Sequence, residues 1–580
     1  MKKIISVLLS IVMAFSVATV AFSATSFAAD EQVTTSAPAL ISTEKAVEFF
    51  AKTVQSIDFS EIYIPTSWED FGNMLVKMLY GILDKLVNAI VKGINSVVPS
   101  VQFEDSETYT NDMFFKGMDT YLTEPAEGAK WSLGYASASL QTGDELDGKH
   151  YVGGSLSFPK TKAATSVFEN DDQRVRAIAI SDGSGRGTVV FAVIDGFGLS
   201  NTDVRGIRRE LKDFADANNI VGINISVLHQ HSCVDTFGMN GDLLKMIFAN
   251  PALNILNNTF GTNFKLLNGL NDSFMKHLYS VTVDSIKEAV NGMTEGTLLY
   301  SETDVTEYIR DKRAPYVFDK NINRFRFVPD DGSRETWLCN MAIHCVGNGA
   351  ARTDVTGDYP YYLEQYIDQY ADANFIEIQG AELAISSQYN TLDITEDMTS
   401  QDEMRLFAQA LGQRLVYGNQ SEFEVKPLLN YSMSEYKVPI NNQILEFAGR
   451  LGALTNTVVK DNDGNLYVAS EIGYMEIGTN LAVAIIPGEL EPAIAFGGYL
   501  DKTNSWKNED FDYPCLQDIV IGKELIVFGL TNDQVGYILE DNDYSSIFSG
   551  VNEEIVATGD KAGSSTIEAF EKLYNEATTK

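Results

Sequence analysis

The sequence predicts an α/β protein in which layered, mixed β-sheets are flanked by helices, with an N-terminal helical segment in front of them. The first observation is a series of short, continuous apolar runs separated by helical patterns: 188–195, 222–231, 338–344, 480–486 and 524–530. Such runs are typical of buried strands in layered α/β folds. The second observation is a set of Asp-Gly pairs, which favour hairpin turns: Asp182-Gly183, Asp331-Gly332 and Asp463-Gly464.

Residues 1–28 have the parts of a secretory signal peptide. Lys2 and Lys3 give a basic start, an apolar run follows, and Ser26-Phe27-Ala28 supplies a small-residue cleavage site. The alternative is an uncleaved membrane anchor, which the cleavage site disfavours. No later stretch is apolar for long enough to span a bilayer. We therefore expect a secreted, extracellular protein, exported in the manner of a Gram-positive bacterial protein.

Residues 29–128 read as an N-terminal amphipathic helical segment. Ser67-Trp-Glu-Asp70 is typical of a helix start, apolar residues recur at three- and four-residue spacing from Phe71 to Ile94, and Pro99 ends the pattern. One interpretation is a helix that packs on the main domain. The other is peripheral contact with a membrane, a cell surface or a partner.

Residues 129–545 form the predicted main domain, and residues 546–580 a C-terminal helical tail. Within the main domain, Thr202 is the expected cap of a helix that runs to about Asn218, and an insert at 243–270 is rich in apolar side chains. We expect this insert and the N-terminal helix to form an apolar mouth on the main domain.

Charge and cysteine content narrow the function further. The chain carries a formal net charge of −37, which disfavours binding to nucleic acid and to anionic membranes. Its four cysteines, Cys233, Cys339, Cys345 and Cys515, are too few for a disulfide scaffold. Cys233 and Cys345 each lie close to a histidine in the sequence. Two alternatives are therefore open for them: a disulfide bridge near these histidines, and buried free thiols.

The five histidines are the most informative residues, because two of them, His229 and His231, end one apolar run. Residues two apart on a strand share a face, which makes this pair half of a metal site. His344 ends another run and Glu489 follows a third. Zinc hydrolases use neutral imidazoles and a carboxylate and keep one position for water. A structural role at each strand end is the alternative.

The order of these motifs resembles the neutral (non-lysosomal) ceramidase family, specifically its N-terminal catalytic domain, from about Trp131 to Tyr537. The matching segments, in chain order, are Leu133-Gly-Tyr-Ala-Ser, Arg174-Val-Arg176, Val227-Leu-His229-Gln-His231-Ser232, Arg313-Ala-Pro315, Asp319-Lys320, His344, Thr356-Gly-Asp358, Pro487-Gly-Glu489 and Asn532-Asp-Gln-Val-Gly-Tyr537.

The resemblance implies the ceramidase-like fold and one Zn²⁺ per chain, held by His229, His344, Glu489 and Tyr537. It implies hydrolysis of the amide bond of an N-acyl lipid by a zinc-activated water. The catalytic residues would be His231 as the proton carrier, Arg313 at the oxyanion and Tyr537. Asp195 and Asp358 are candidates for orienting the imidazoles.

The chain also departs from the family. Where the family has Gly-Asp-Val-Ser-Pro-Asn, this sequence reads Gly380-Ala-Glu382-Leu-Ala-Ile-Ser, so the Asp and the Ser are missing. The glycines after the His-x-His pair and the C-terminal β-sandwich domain are missing as well. Two alternatives therefore stay open: a zinc hydrolase that acts on another amide or ester, and a non-catalytic lipid-binding protein.

Overall fold

The structure is a computed structural model that describes residues 81, 84–85, 87–154, 162–349, 352–418, 421–545 and 554–579. The predicted signal peptide and most of the predicted N-terminal helix lie outside the described residues. Residues 87–95 of that helix are helical, with Val87 and Val91 buried, and no helix follows between 96 and 128. Among the described helices, none is long and apolar enough to cross a membrane.

The described strands are, in chain order, β1 (Glu104–Asp105), β2 (Trp131–Ser139), β3 (Ser166–Val167), β4 (Arg174–Ser181), β5 (Thr188–Ile194), β6 (Ile220–Val227), β7 (Thr294–Asp304), β8 (Ile309–Asp311), β9 (Asn321–Pro329), β10 (Glu335–Met341), β11 (Asp354–Val355), β12 (Ala373–Gln379), β13 (Ile385–Ser387), β14 (Phe423–Glu424), β15 (Leu429–Ile440), β16 (Val458–Lys460), β17 (Leu466–Ile477), β18 (Leu481–Ile485), β19 (Glu489–Leu490), β20 (Glu524–Phe528) and β21 (Tyr537–Ile538).

The described α-helices are α1 (Asn201–Ala217), α2 (Leu243–Phe260), α3 (Asp272–Asn291), α4 (Asp358–Ala371), α5 (Ser400–Tyr417), α6 (Gln443–Leu451), α7 (Pro492–Phe496), α8 (Leu516–Ile519) and α9 (Ala562–Thr578). Short 3₁₀ turns occur at Thr306–Tyr308, Asp541–Asp543 and Glu554–Val556.

Two mixed sheets form the centre of the fold. The nine-stranded sheet has the order β12-β10-β9-β7-β2-β4-β5-β6, with β14 beside β7, and it curves so that its edge strands β6 and β12 contact each other. The six-stranded sheet has the order β1-β16-β17-β18-β20, with β15 beside β17. Both sheets contain parallel and antiparallel neighbours, as the sequence predicts.

The layers are held together by three apolar clusters. The largest lies between the sheets, where the rings of Phe191 and Phe528 meet edge to face at 5.5 Å between centroids. The second lies under α1 and α3 on the outer face of the nine-stranded sheet. The third lies under α7, α8 and α9 on the outer face of the six-stranded sheet. This arrangement confirms the predicted layered α/β fold with flanking helices.

The three Asp-Gly pairs are confirmed as hairpin turns, because β4 and β5, β9 and β10, and β16 and β17 pair antiparallel across them. Other predictions differ in detail. Ser200, not Thr202, caps α1 with its side chain. The predicted tail contains α9, whose Ile567, Phe570 and Leu573 are buried against the six-stranded sheet, so this helix belongs to the core.

Strands that pair in parallel lead to the predicted site. β6 pairs with β5, β10 with β12, and β18 with β20, each in parallel register. The chain reaches His229 after β6, His344 after β10 and Glu489 after β18. In layered α/β folds, side chains that follow the carboxyl ends of parallel strands converge in one crevice.

Candidate metal centre

His229 lies in a turn after β6, which differs from the predicted strand over 222–231. The strand ends at Val227, and His229 has a φ of 54°, in the left-handed region. The side chains of His229 and His231 therefore do not share a strand face. The turn nevertheless brings the two imidazoles together, with 4.7 Å between ring centroids.

The carbonyl of Phe197 fixes the ring of His229. It lies 2.7 Å from Nδ1, and the Phe197 ring stacks on the imidazole at 4.6 Å between centroids. When Nδ1 carries the proton and donates it to this carbonyl, Nε2 is left with a lone pair. Burial lowers the pKa of His229 to about 4, which keeps the ring neutral.

Glu489 contacts both of the histidines that the resemblance predicts as metal ligands. Its Oε2 lies 3.5 Å from Nε2 of His229 and 3.3 Å from Nε2 of His344. That oxygen is buried and accepts no hydrogen bond among the described residues. Burial lowers the pKa of His344 to about 3, so both imidazoles are neutral bases facing a carboxylate.

These three atoms fit a zinc ion. Zinc bonds of 2.0–2.2 Å in a tetrahedron place neighbouring ligand atoms about 3.3–3.6 Å apart, which matches the two separations from Oε2 of Glu489. Two neutral imidazoles and one carboxylate are also the donor set that catalytic zinc sites use. The site is fully buried, and a carboxylate oxygen with no donor is the kind of group that a cation satisfies.

Gln534 supports Glu489 from the other side. Its amide Nε2 donates to Oε1 of Glu489 at 3.1 Å, which leaves Oε2 directed at the histidines. Gln534 lies three positions before Tyr537, in the segment Asn532–Tyr537 that resembles the family.

Glu382 is a residue that sequence reasoning missed. It is fully buried, neither carboxylate oxygen has a hydrogen-bond partner among the described residues, and Oε2 lies 3.5 Å from Nδ1 of His344. Together with His229, His344 and Glu489 it forms a group of four possible metal ligands. The available signal was its position three residues after β12, in the segment read as a departure from the family.

Gln379 joins the two histidine-bearing turns and was also missed. Its Nε2 donates to the carbonyls of Leu228 and Ile343, at 3.2 and 3.0 Å, and its Oε1 accepts from the amide of Ile343 at 3.2 Å. Leu228 and Ile343 each directly precede one of the ligand histidines. A single buried side chain therefore sets the spacing between His229 and His344.

His231 lies beside these atoms without being tied to them. Its ring centroid is 4.7 Å from that of His229 and 5.7 Å from that of His344. Both ring nitrogens are buried and have no hydrogen-bond partner among the described residues. Burial holds its pKa well below the usual value. The ring is therefore a neutral base, and neither nitrogen has to give up a hydrogen bond to a described residue before it accepts a proton.

Tyr537 and an apolar cavity complete the surroundings. Tyr537 is the parallel register partner of Glu489, because β19 pairs with β21. It lines a cavity together with His229, His231 and Glu489. The rest of that cavity is mostly apolar: Phe197, Phe237, Met239, Ile440, Leu445, Leu454, Val468, Val535 and Val556. The roles of Tyr537 as ligand and as catalytic residue stay predictions.

Arg313 lies in a group of carboxylates. Its Nη2 donates to Oδ2 of Asp543 at 2.6 Å, and Glu491, Glu540 and Glu554 lie within 3.8 Å of the guanidinium. Its part at the oxyanion stays a prediction. The neighbouring Lys312 acts on the histidines instead: after burial, its positive charge is the next cause that lowers the pKa of His344.

Asp195 and Asp358 hold backbone and arginine groups rather than imidazoles in the contacts that the structure gives. Asp195 accepts from Nη1 of Arg176 at 2.7 Å and from the amide of Arg174 at 2.9 Å. Asp358 accepts from the amide of Tyr359 at 2.7 Å.

All four cysteines are buried and free, so the alternative of a bridge between Cys233 and Cys345 is not realised.

No protein-family model and no curated protein matches the chain. Solved structures do. Neutral ceramidase from Pseudomonas aeruginosa superposes with a TM-score of 0.56 and 14% identity, over 77% of this chain and 74% of that chain. A ceramidase complexed with C2 superposes with a TM-score of 0.54 and 13% identity, over 77% and 75%. The structural neighbours of this chain are therefore neutral ceramidases, and it has their fold at a low level of sequence identity.

Proposed function

We propose that this protein is a secreted, zinc-dependent amidohydrolase that cleaves the amide bond of an N-acyl lipid or a similar amphiphilic amide. The observation that carries the proposal is the convergence of Nε2 of His229, Nε2 of His344 and Oε2 of Glu489 inside a fold shared with ceramidases. These contacts are not ordinary surface ion pairs. All three side chains are buried, and a neutral imidazole does not form an ion pair with a carboxylate.

The residues of the chain supply most of the chemistry. A zinc ion held by His229, His344 and Glu489 supplies Lewis acidity for the attacking water and the amide carbonyl. His231 accepts a proton from the water and returns it to the leaving amine nitrogen, as a neutral base within reach of the site can. Gln534 keeps Glu489 in place throughout.

The cavity supports an acyl substrate. Its wall changes from polar at His229, His231 and Glu489 to apolar at Ile440, Leu445 and further residues within a short distance. A site with a few convergent polar groups and an apolar wall fits a ligand that has one polar, reactive bond and a hydrocarbon chain. This gradient favours an amphiphilic amide over a peptide.

Metal content tests the site assignment. We expect about one zinc per chain in the purified protein and a large loss in the His229→Ala variant, measured by atomic emission. His277→Ala is the matched control, because His277 lies on α3 outside the cluster, and it should keep its zinc. Less than about half a zinc per chain, unaffected by His229→Ala, contradicts the assignment.

A substrate panel tests the reaction. We expect hydrolysis of long-chain N-acyl amides, slower hydrolysis of short-chain ones, and a strong loss of turnover in His231→Ala with zinc content unchanged. Preferential cleavage of esters or peptides would replace the proposed substrate class. Lipid binding that survives chelation, with no hydrolysis of any panel member, would favour the non-catalytic alternative. The absence of the family's Asp and Ser after Gly380 is the reason for including that alternative.

A further inference from the structure

Helix α2 exposes several large apolar side chains and buries two asparagines. The side chains that it buries are Met246, Asn250 and Asn254. Its exposed large apolar residues are Phe248, Ile255, Leu256 and Phe260, the last of them 70% exposed. At 100° per residue these four fall within an arc of about 140°, and Asn250 and Asn254 fall outside it. An ordinary surface helix has the opposite arrangement.

Asparagine amides attach this helix to the domain. Asn250 donates to the carbonyl of Leu267 at 3.0 Å and accepts from its amide at 2.9 Å. Asn254 donates to the carbonyl of Pro99 at 3.3 Å, and Asn258 to that of Ser100 at 2.8 Å. Hydrogen bonds from three asparagines to backbone carbonyls thus fix the helix against the domain.

We define the α2 face as Phe248, Ile255, Leu256, Phe260 and Phe264. Phe264 follows the helix and is 50% exposed. Single exposed apolar residues need no explanation, but a contiguous group marks an interaction site. Five of the thirteen large exposed apolar side chains among the described residues belong to this face, so exposure is concentrated here.

The α2 face lies next to the cavity of the metal centre. Asn254 also contacts the carbonyl of Arg450 at 3.5 Å, and α2 packs against α6. Leu445 on α6 and Leu454 just after it line the cavity that contains His231 and Glu489. The apolar surface outside and the apolar wall inside are therefore separated by a single helix.

The charge on α2 identifies the kind of surface that it suits. Lys245 is the one charged residue of the helix, in a chain with a net charge of −37. A protein this acidic is repelled by anionic lipid, and an aromatic and aliphatic face that carries a single lysine gains mainly from apolar contact. Aromatic side chains also favour the boundary between headgroups and hydrocarbon.

We propose that the α2 face docks on the surface of a zwitterionic lipid aggregate, from which the amphiphilic substrate passes over α6 into the cavity. This inference rests on the proposed function for its substrate, and it adds the form in which that substrate is presented. It assigns the docking to α2 and Phe264 within the 243–270 insert, whereas the sequence predicts peripheral membrane contact for the N-terminal helix.

Flotation with phosphatidylcholine vesicles tests docking without any catalysis. The protein without its predicted signal peptide, residues 29–580, should float with the vesicles. The double variant Phe260→Ser, Phe264→Ser should bind at least about tenfold more weakly, because it removes most of the exposed aromatic area. The matched control Tyr370→Ser, Tyr417→Ser changes exposed aromatic residues elsewhere and should bind within about twofold of the parent. His229→Ala should bind as the parent does.

The outcomes separate docking from the proposed function. Equal vesicle binding by the Phe260→Ser, Phe264→Ser variant and the parent overturns the docking proposal, and if the variant instead differs from the parent in its oligomeric state, the face is an interface between two copies of the chain. Hydrolysis of a soluble short-chain amide should be the same in that variant and the parent. Normal docking with no hydrolysis of any amide would instead overturn the proposed function and leave the docking in place.

Discussion

Replacing Gln379 by alanine should loosen His229 and His344, the two histidines of the proposed zinc site, at once. The change removes three hydrogen bonds, to Leu228 and Ile343, from a fully buried position. At about 1 kcal/mol for each bond, the free energy of unfolding should fall by about 3 kcal/mol. The amide of Ile343 also loses its acceptor, so the loss in free energy of unfolding should exceed that value. Residues that support metal ligands in this way affect metal affinity by about 10- to 100-fold.

A zinc titration against a chromophoric chelator measures the affinity, and thermal unfolding of the metal-free protein measures the stability. Gln517→Ala is the control, because Gln517 also bonds to backbone, at the carbonyl of Lys523 and the amide of Leu525, away from the histidines. We expect the control to lose stability and to keep its zinc affinity. If Gln379→Ala loses no more affinity than Gln517→Ala, Gln379 does not set the spacing of the ligands.

Two further predictions concern pH and metal removal. Burial raises the pKa of Glu377 to about 8, above the unfolded value of about 4.3, so its contribution to stability is complete below pH 4 and is lost as the pH rises to 8. Glu377→Gln should therefore gain stability relative to the parent between pH 5 and pH 9 in urea unfolding, and parallel pH profiles would contradict this. Chelation should lower the melting temperature of the parent, since a ligand at a thousand times its Kd stabilises by about 4 kcal/mol, and it should leave His229→Ala unchanged in scanning fluorimetry.

The architecture was largely accessible from the sequence because it depends on patterns that are local. Apolar runs locate the central strands, and each Asp-Gly pair places a glycine where a hairpin needs a positive φ. Residues 546–580 are predicted as a helical tail and contain a helix, but the packing of Ile567, Phe570 and Leu573 against the sheet could not be predicted, because polar residues interrupt this apolar stripe.

The site was accessible in its residue types and not in its geometry. His229, His344 and Glu489 follow strands that the sequence shows, and the structure brings them together. The left-handed turn at His229 could not be predicted, because the alternation of a strand seemed to continue through it. Glu382 and Gln379 were missed for a related reason: their importance lies in contacts with residues more than 30 positions away.

The distance along the chain between the groups at the metal centre has a consequence for how the protein matures. His229, His344 and Glu489 come from separate stretches of sequence, and the sheet that leads to Glu489 also takes in β1 and packs against α9, near opposite ends of the described chain. The group of ligand atoms therefore forms only when the sheets are assembled. For the zinc site proposed above, we expect metal binding to follow folding, so that the metal available in the compartment where the chain folds determines which ion it acquires.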